Sequence, residues 1–156
     1  MSDRSELLHD FSDAAAWLER VAPPVEFCSL RLLEERGETV RVQRGVPLPA
    51  GFHSARGAML SVIDQGGIGY AATSDLSFGG LYQAAREAAK WAKLSRGRTV
   101  TDFSTLDRPQ ESGEYRTPVT IPWESVSLPE KIDRLLGIDE VLGADSRIVD
   151  RQINLQ

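Results

Sequence analysis

Apolar residues recur every three or four positions from Ser5 to Val21, a spacing that predicts an amphipathic helix. Because proline cannot continue a helix, Pro23 and Pro24 mark its end. The apolar side of this first helix consists of Leu7, Leu8, Phe11, Ala15 and Leu18. We therefore expect a helix that packs on the rest of the protein through one side.

The next two segments show the period of two that is typical of β-strands. They run from Val25 to Leu33 and from Thr39 to Arg44, on either side of the polar stretch Glu34 to Glu38. A polar stretch with a glycine between two alternating segments predicts a turn. We therefore expect a first β-hairpin here, followed by a loop from Gly45 to Arg56.

A second β-hairpin is the clearest local pattern in the chain. Its arms are Ala58 to Asp64 and Ile68 to Thr73, and its turn is Gln65-Gly66-Gly67. Glycine supplies the positive φ angles that a tight hairpin turn needs. Gly69 interrupts the second arm, which indicates a bulge or the close approach of another backbone.

Ser77 precedes a second predicted helix, Phe78 to Arg96, because a serine hydroxyl accepts a hydrogen bond from the first helical turn. Its inner side is mostly alanine, which lets a helix lie close to a sheet. The inner residues are Leu81, Ala85, Ala88 and Ala92. Gly97 follows the helix, at the usual position for a terminating glycine.

From Thr99 to Pro122 the sequence has little periodicity, which indicates a surface connection with one short strand near Val119. Ser127 and Glu130 then form a capping box, the S-x-x-E pattern that begins a helix. The apolar side of this third helix consists of Leu128, Ile132, Leu135 and Leu136. Gly137 predicts a break before the helix continues.

The last segment, Arg147 to Gln156, alternates like a strand. One of its faces carries Val149, Arg151, Ile153 and Leu155. A strand at the end of the chain lacks a partner for its outer edge, so we expect the protein to continue beyond Gln156. The predicted fold class is α+β: an antiparallel sheet built from two β-hairpins plus a terminal strand, with helices packed on one face.

The composition indicates one globular domain over residues 1–156, since 41% of the residues are hydrophobic and 26% charged. The net charge of −5 argues against direct nucleic-acid binding. The clustered cations Lys90, Lys93, Arg96 and Arg98 lie at the end of a helix, where they complement its dipole. With no membrane-spanning run, no signal peptide and a single cysteine, the sequence predicts a cytoplasmic protein.

Residues that carry zinc or nucleophilic chemistry are scarce. The two histidines, His9 and His53, and the one cysteine, Cys28, are too few for the usual three or four zinc ligands. H-E-x-x-H and G-x-S-x-G motifs are missing from the sequence. Cys28 lies in a predicted strand and is expected to be a core side chain. The carboxylate pairs Glu34-Glu35 and Asp139-Glu140 are expected on the surface, so we assign no catalytic, metal-binding or cofactor-binding residue.

Two features resemble anion sites without the pattern that such sites need. Gly66-Gly67-x-Gly69 lacks the G-x-x-x-x-G-K-[ST] sequence of a phosphate loop, and it joins two strands rather than opening a helix. The helix after Ser77 offers free N–H groups in its first turn, as every helix does. Neither feature changes the assignment.

The segment from Gly57 to Ser77 resembles the TldD/PmbA family of metallopeptidases. Members of this family have a glycine-rich hairpin, a return strand of the form G-[FY]-A-[AS]-T, and an [ND]-L-S motif that opens an alanine-rich helix. Here these motifs are Gly69 to Thr73 and Asp75 to Ser77. Shorter similar stretches are Val40 to Gly45, Ser127 to Lys131 and Asp145 to Val149. Gly79-Gly80 departs from the family, which has better helix formers there.

The resemblance implies an N-terminal α/β domain that precedes a larger, β-rich metallopeptidase domain, which this chain lacks. In active family members an H-E-x-x-x-H helix of that C-terminal domain holds zinc, and a silent subunit type pairs with the active one. The implied partners are therefore a TldD/PmbA-family subunit, as homo- or heterodimer, and the peptide substrate of the full-length protein. The family has been linked to peptide maturation, proteolysis of unfolded peptides and modulation of DNA gyrase.

Three functions follow as hypotheses. The first, which we favour, is a non-catalytic domain that serves subunit assembly and substrate-chamber formation, where peptide adds to an exposed sheet edge. The second is a stand-alone regulatory or binding module that pairs with a full-length family partner. The third is an independent hydrolase or nucleotide enzyme, for which the sequence has no motif.

Overall fold

The computed structural model describes Leu8, residues 11–108 and residues 113–156. The chain divides into two compact units. Unit 1 comprises Met1–Glu34 and Ala55–Gln110, and unit 2 comprises Glu35–Ser54 and Glu111–Gln156. His9 and the start of the first predicted helix lie outside the described residues. No helix in the described part of the chain is long and apolar enough to cross a membrane.

Five strands form the sheet, in the order β2-β1-β3-β4, with β5 paired to β1. The strands are β1 (Phe27–Gln43), β2 (Val46–Pro47), β3 (Gly51–Asp64), β4 (Gly67–Thr73) and β5 (Gln152–Leu155). The pairs β1–β2, β1–β5 and β3–β4 are antiparallel. With the helices α1 (Ala14–Val21), α2 (Phe78–Ser95) and α3 (Leu128–Gly143), this architecture confirms the predicted α+β class.

The first predicted hairpin is wrong in its turn. Strand β1 runs without interruption through Glu34 to Glu38, and its hairpin turn lies at Arg44 and Gly45, which both have positive φ angles (48° and 75°). Gly37 lies within the strand and against the exposed ring of His53, which would have to move for a Cβ there, since the Cβ would lie 1.9 Å from its Cε1. The predicted loop from Gly45 to Arg56 is wrong in its second half, which belongs to β3.

The second hairpin is confirmed. Asp64 pairs with Gly67 across a two-residue turn in which Gln65 and Gly66 have φ angles of 49° and 76°. Positive φ at both central residues matches the right-handed twist of the two arms. The close approach predicted at Gly69 is also present, because a Cβ there would lie 2.2 Å from the carbonyl oxygen of Ala88 on α2.

Unit 1 has its own core between α1, α2 and the sheet. The Ser77 hydroxyl accepts a hydrogen bond from the N–H of Gly80 (3.1 Å) and caps α2, as predicted. A helical turn of 3₁₀ type, Phe11–Asp13, precedes α1. The buried core residues are Leu8, Trp17, Val21, Ala58, Leu60, Leu76, Leu81, Ala84 and Ala85. Ala88 and Ala92 of the predicted inner side are buried against Val62.

Unit 2 has a separate core between α3 and the strands β1 and β5. Val40, Val42 and Leu135 are buried there, and Ile153 and Leu155 of β5 pack against them. The capping box of α3 is confirmed. The remaining apolar residues packed on this core are Leu128, Ile132 and Leu136.

Three boundaries in unit 2 differ from the prediction. Helix α3 continues through Gly137 without a break. Leu135 before it and Asp139 after it are both buried, so one exposed glycine costs less than ending the helix there. The strand predicted near Val119 is wrong, since residues 113–121 form no strand and Val119 is exposed. The last strand begins only at Gln152.

Candidate functional site

Of the described residues singled out in the sequence, Cys28 lies in unit 1 and His53 in unit 2. Cys28 is half-buried and packs on the core, and burial raises the pKa of its thiol, so the thiol stays protonated at neutral pH. His53 is exposed, with its Nε2 at 3.2 Å from Oε1 of Glu35. Among the described residues, no group of three or more His, Cys, Asp or Glu side chains is placed to hold a metal ion.

The buried charge cluster of unit 2 consists of Glu38, Trp123 and Lys131. The Lys131 ammonium donates to Oε2 of Glu38 at 2.6 Å, and the Trp123 indole N–H donates to the same oxygen at 2.6 Å. The ammonium also lies 4.2 Å from the centroid of the Trp123 ring, within cation–π range. The Lys131 and Glu38 side chains are only 6% and 11% exposed.

The hydrogen bond from Lys131 is the main cause that holds the pKa of Glu38 below its ordinary value, with a smaller contribution from Trp123. The cluster is therefore an ion pair at neutral pH. Both hydrogen bonds are accepted by Oε2, and the adjacent ammonium favours the ionised carboxylate, which makes Glu38 a weak general base. Sequence reasoning missed this cluster.

A second covered ion pair joins α3 to the approach to β5. Arg151 donates to Oδ2 of Asp139 at 2.8 Å, and the Asp139 side chain is buried. The hydrogen bond from Arg151, followed by one from the backbone of Gly45, holds the pKa of Asp139 below its ordinary value. The expectation that Asp139 lies on the surface is therefore wrong. Its buried carboxylate binds Arg151 and the backbone of Gly45 in the β1–β2 turn.

A cleft of about 990 Å³ lies beside the buried charge cluster, within unit 2. Glu35, His53 and Trp123 are among the residues that line it. More than half of the His53 and Glu35 side chains is exposed, so this pair is screened by water and contributes little energy. The cleft holds a histidine and carboxylates but no nucleophile hydrogen-bonded to a base among the described residues.

Unit 1 presents two apolar surfaces. The outer sheet face, formed by Arg31, Leu33, Met59 and Ala72, lies opposite the core because Ala58 and Leu60 point the other way. Leu33 is 49% exposed, and a depression of about 500 Å³ lies at this face. The edge groove lies along β4, has about 570 Å³, and is lined by Ile68, Gly69, Tyr70, Trp91, Leu94, Ser95 and Arg98.

The cationic cluster predicted at the end of α2 is partly paired. Arg96 donates to the Asp64 carboxylate and carbonyl, and Lys90 lies 3.2 Å from Glu87. Arg98 instead lines the edge groove. The glycine-rich turn joins β3 and β4 as a hairpin and opens no helix, so the phosphate-loop pattern does not apply.

Comparison with known proteins finds a family match for residues 28–92. The family model described as PmbA/TldA metallopeptidase domain 1 matches residues 28–92, from β1 to the last part of α2. The crystal structure of TldE from Thermococcus kodakarensis is similar, with a TM-score of 0.58 and 17% sequence identity. The match covers 92% of this chain and 34% of that chain, so this chain spans about a third of the length of TldE.

At that identity the structural similarity shows the fold alone. No curated protein matches the sequence. The family model is therefore the finding that carries the assignment, and it names a domain other than the zinc-binding one. Residues 28–92 match the first domain of the PmbA/TldD metallopeptidase family.

Proposed function

We propose that residues 1–156 form the N-terminal, non-catalytic domain of a TldD/PmbA-type metallopeptidase that acts in peptide processing or degradation. The observation that carries the proposal is the match of residues 28–92 to domain 1 of the metallopeptidase family model. The fold match over 92% of this chain adds that the chain spans about a third of the length of TldE. In this role the domain serves subunit assembly and forms part of the wall of the substrate chamber. Zinc, where the parent protein is of the active type, is held outside this domain.

The arrangement of charges supports a non-catalytic role. In the described part of the chain the covered charged side chains occur as ion pairs, Lys131 with Glu38 and Asp139 with Arg151. A carboxylate beside a cation is favoured in its ionised form, which makes it a weaker proton acceptor for a substrate. The chemistry of the parent protein therefore comes from elsewhere.

The outer sheet face supports a role in assembly. A sheet with one face on its own core usually shows polar residues on the other face. Here that other face presents Leu33, Met59 and Ala72 beside a depression of about 500 Å³. Exposed apolar surface of this kind marks a protein–protein interface. Its partner is the rest of the parent protein or a TldD/PmbA-family subunit in the cytoplasm.

Leu33→Glu tests the assembly role, because a charge at the centre of an apolar interface opposes association. Tyr115→Glu is the matched control, since Tyr115 is highly exposed and lies in unit 2. We expect Leu33→Glu, but not Tyr115→Glu, to weaken binding to a TldD/PmbA-family subunit in light-scattering measurements. Equal binding by both variants would remove this face from the proposal.

Peptide hydrolysis by the purified chain tests the non-catalytic role. We expect no cleavage of an unfolded protein substrate and no stoichiometric zinc by elemental analysis. Cleavage that survives a chelator and purification through two further columns would show that the chain is itself a hydrolase.

A stand-alone regulatory module that pairs with a full-length partner is the second candidate. It is favoured by the separate hydrophobic cores of the two units, which give this chain buried apolar residues of its own. The two candidates differ in the size of the native polypeptide, and both require a family subunit as partner.

A further inference from the structure

We infer that the open edge of β4 and the adjoining edge groove form a docking site for an extended peptide with a large apolar side chain and an acidic side chain two residues apart. This inference deepens the proposed function, on which it rests for the source of the peptide. The site is assigned to this domain and needs no catalytic group of its own. It is built from backbone groups, an apolar groove and one cation.

The backbone of β4 offers unpaired groups on the side away from β3. The N–H of Ile68 donates to the Ser95 hydroxyl at 2.9 Å, and that hydroxyl lies 2.7 Å from the carbonyl oxygen of Ile68. Both backbone groups of Ile68 therefore point outward. Because strand residues alternate, those of Tyr70 and Ala72 point the same way. In the described part of the chain β4 ends the strand order, so a further strand can pair with these two residues.

The groove beside this edge supplies a site for an apolar side chain. Trp91 and Leu94 are three residues apart on α2 and lie on the same side of the helix. Tyr70, Trp91 and Leu94 are 67%, 51% and 49% exposed, although aromatic and leucine side chains gain most from being covered. A strand added to a sheet edge gains affinity from the main chain and specificity from such side-chain pockets.

The charge of the groove selects an acidic partner. Arg98 is the one charged residue among those that line it, and its guanidinium pairs with no described side chain. Of the other cations at this end of α2, Arg96 is engaged by Asp64 and Lys90 by Glu87, and Lys93 does not line the groove. A guanidinium binds a carboxylate through two parallel hydrogen bonds, so Arg98 favours an aspartate or glutamate side chain.

The order of the groove residues gives the spacing of the peptide. Ser95 contacts Ile68, and a Cβ on Gly69 would contact Trp91, so β4 and α2 run in opposite directions. Arg98 therefore lies toward the Ile68 end of the groove and Trp91 toward Tyr70. Side chains two residues apart on a strand lie on one side, about 7 Å from each other. One can reach Trp91 and Leu94 while the other reaches Arg98.

The test uses the full chain and a fluorescein-labelled peptide, Thr-Val-Phe-Thr-Glu-Thr, blocked at both ends so that its only carboxylate is the glutamate side chain. Fluorescence anisotropy should show saturable binding. Arg98→Gln should weaken it about tenfold, as expected for the loss of a charge-assisted hydrogen-bonded pair. Trp91→Ala should weaken it by at least a similar factor, since it removes an aromatic wall.

Three controls separate the parts of the site. Arg86→Gln, a cation on α2 outside the groove, should leave the affinity unchanged. A peptide with glutamine in place of glutamate should bind the unmodified chain about tenfold more weakly than the glutamate peptide does. The two peptides should bind the Arg98→Gln variant with equal affinity. A peptide whose β4-facing backbone nitrogens are methylated should not bind, because it cannot donate hydrogen bonds to Tyr70 and Ala72. These peptide controls hold even where a protein variant fails to fold.

Three results would overturn the inference: no saturable binding at millimolar peptide, binding that ignores both Arg98→Gln and backbone methylation, or a concentration-dependent dimer that Trp91→Ala abolishes while peptide does not bind. The last result would make the groove an interface between copies of this chain. Failure here leaves the assembly test with Leu33→Glu untouched, and failure of that test leaves peptide binding untouched. The two proposals are thus tested separately.

Discussion

The ammonium group of Lys131 on α3 lies 2.6 Å from a carboxylate oxygen of Glu38 on β1, although the residues are 93 positions apart. Glu38 alternates with the buried residues Val40 and Val42 along β1, and Lys131 lies one helical turn before the buried Leu135. The ion pair therefore lies in line with the apolar core of unit 2. A shift of α3 along β1 would leave each charge buried without its partner, so the pair favours this one alignment of the helix on the strand.

Breaking this pair from one side should destabilise the protein more than removing it altogether. We expect Lys131→Met and Glu38→Leu each to lower the urea midpoint of unfolding, and the double variant to recover most of the loss, because it buries no lone charge. Urea unfolding followed by circular dichroism measures all three.

The pair Arg116–Glu114 is the control for that cycle. It has the same 2.6 Å separation, but its side chains are 85% and 73% exposed. Removing either partner should leave the midpoint unchanged within error. Additive losses in the Glu38–Lys131 cycle would mean that the two charges do not interact.

Acid should unfold the protein through its covered carboxylates. The pKa of Glu38 is held below its ordinary value of 4.5 by Lys131, and that of Asp139 below 3.8 by Arg151. A lowered folded-state pKa contributes stability that is full above the ordinary value and lost as the pH falls through the folded-state value. We therefore expect the urea midpoint to be level from neutral pH down to about pH 5 and then to fall.

The double variant Lys131→Met/Glu38→Leu checks the source of this acid sensitivity. It lacks one of the two covered carboxylates with a lowered pKa, so its midpoint should fall less between pH 5 and pH 3 than that of the unmodified protein. An unchanged slope would assign the acid sensitivity to other groups.

Gly69 should tolerate no side chain. A Cβ there would lie 2.2 Å from the backbone oxygen of Ala88, so Gly69→Ala must push α2 away from β4. We expect a loss of about 1–3 kcal/mol in the free energy of unfolding, the usual cost of overpacking. Chemical denaturation measures it.

Gly137→Ala is the matched control for Gly69. Gly137 lies within α3, and a Cβ added there would meet no neighbouring atom within 4 Å. Alanine there should stabilise the protein by about 0.5–1 kcal/mol through helix propensity. Equal effects at both positions would contradict the close packing of α2 on β4.

Local signals predicted most of the fold. Three features depend only on residues close together in the sequence, so their patterns were enough to predict them. They are the turn at Gln65 and Gly66, the Ser77 cap and the capping box of Ser127. The turn predicted at Glu34 to Glu38 was wrong because the extended conformation of these residues comes from pairing within the sheet. A local pattern does not contain that pairing.

The candidate sites were harder to predict. Glu38 on a strand and Lys131 on a helix each interrupt an apolar pattern with a charge, which was a usable signal for a buried ion pair. Which strand and helix come together depends on the tertiary fold. The edge groove has no such signal. The exposure of Tyr70 and Trp91 follows from where α2 crosses β4, and an alternating or helical pattern alone places such residues on either side.

The native state of this chain shows whether it is a domain of a PmbA/TldD-type peptidase, as we propose. An antibody to this domain would capture the protein from its own cells for native mass, subunit identification and zinc analysis. We predict an assembly much heavier than 17.2 kDa that contains a PmbA/TldD-family subunit with a metallopeptidase domain, with zinc where that subunit is of the active type. A native chain of 17.2 kDa that is bound to no family subunit would show that it is not a domain of such a peptidase.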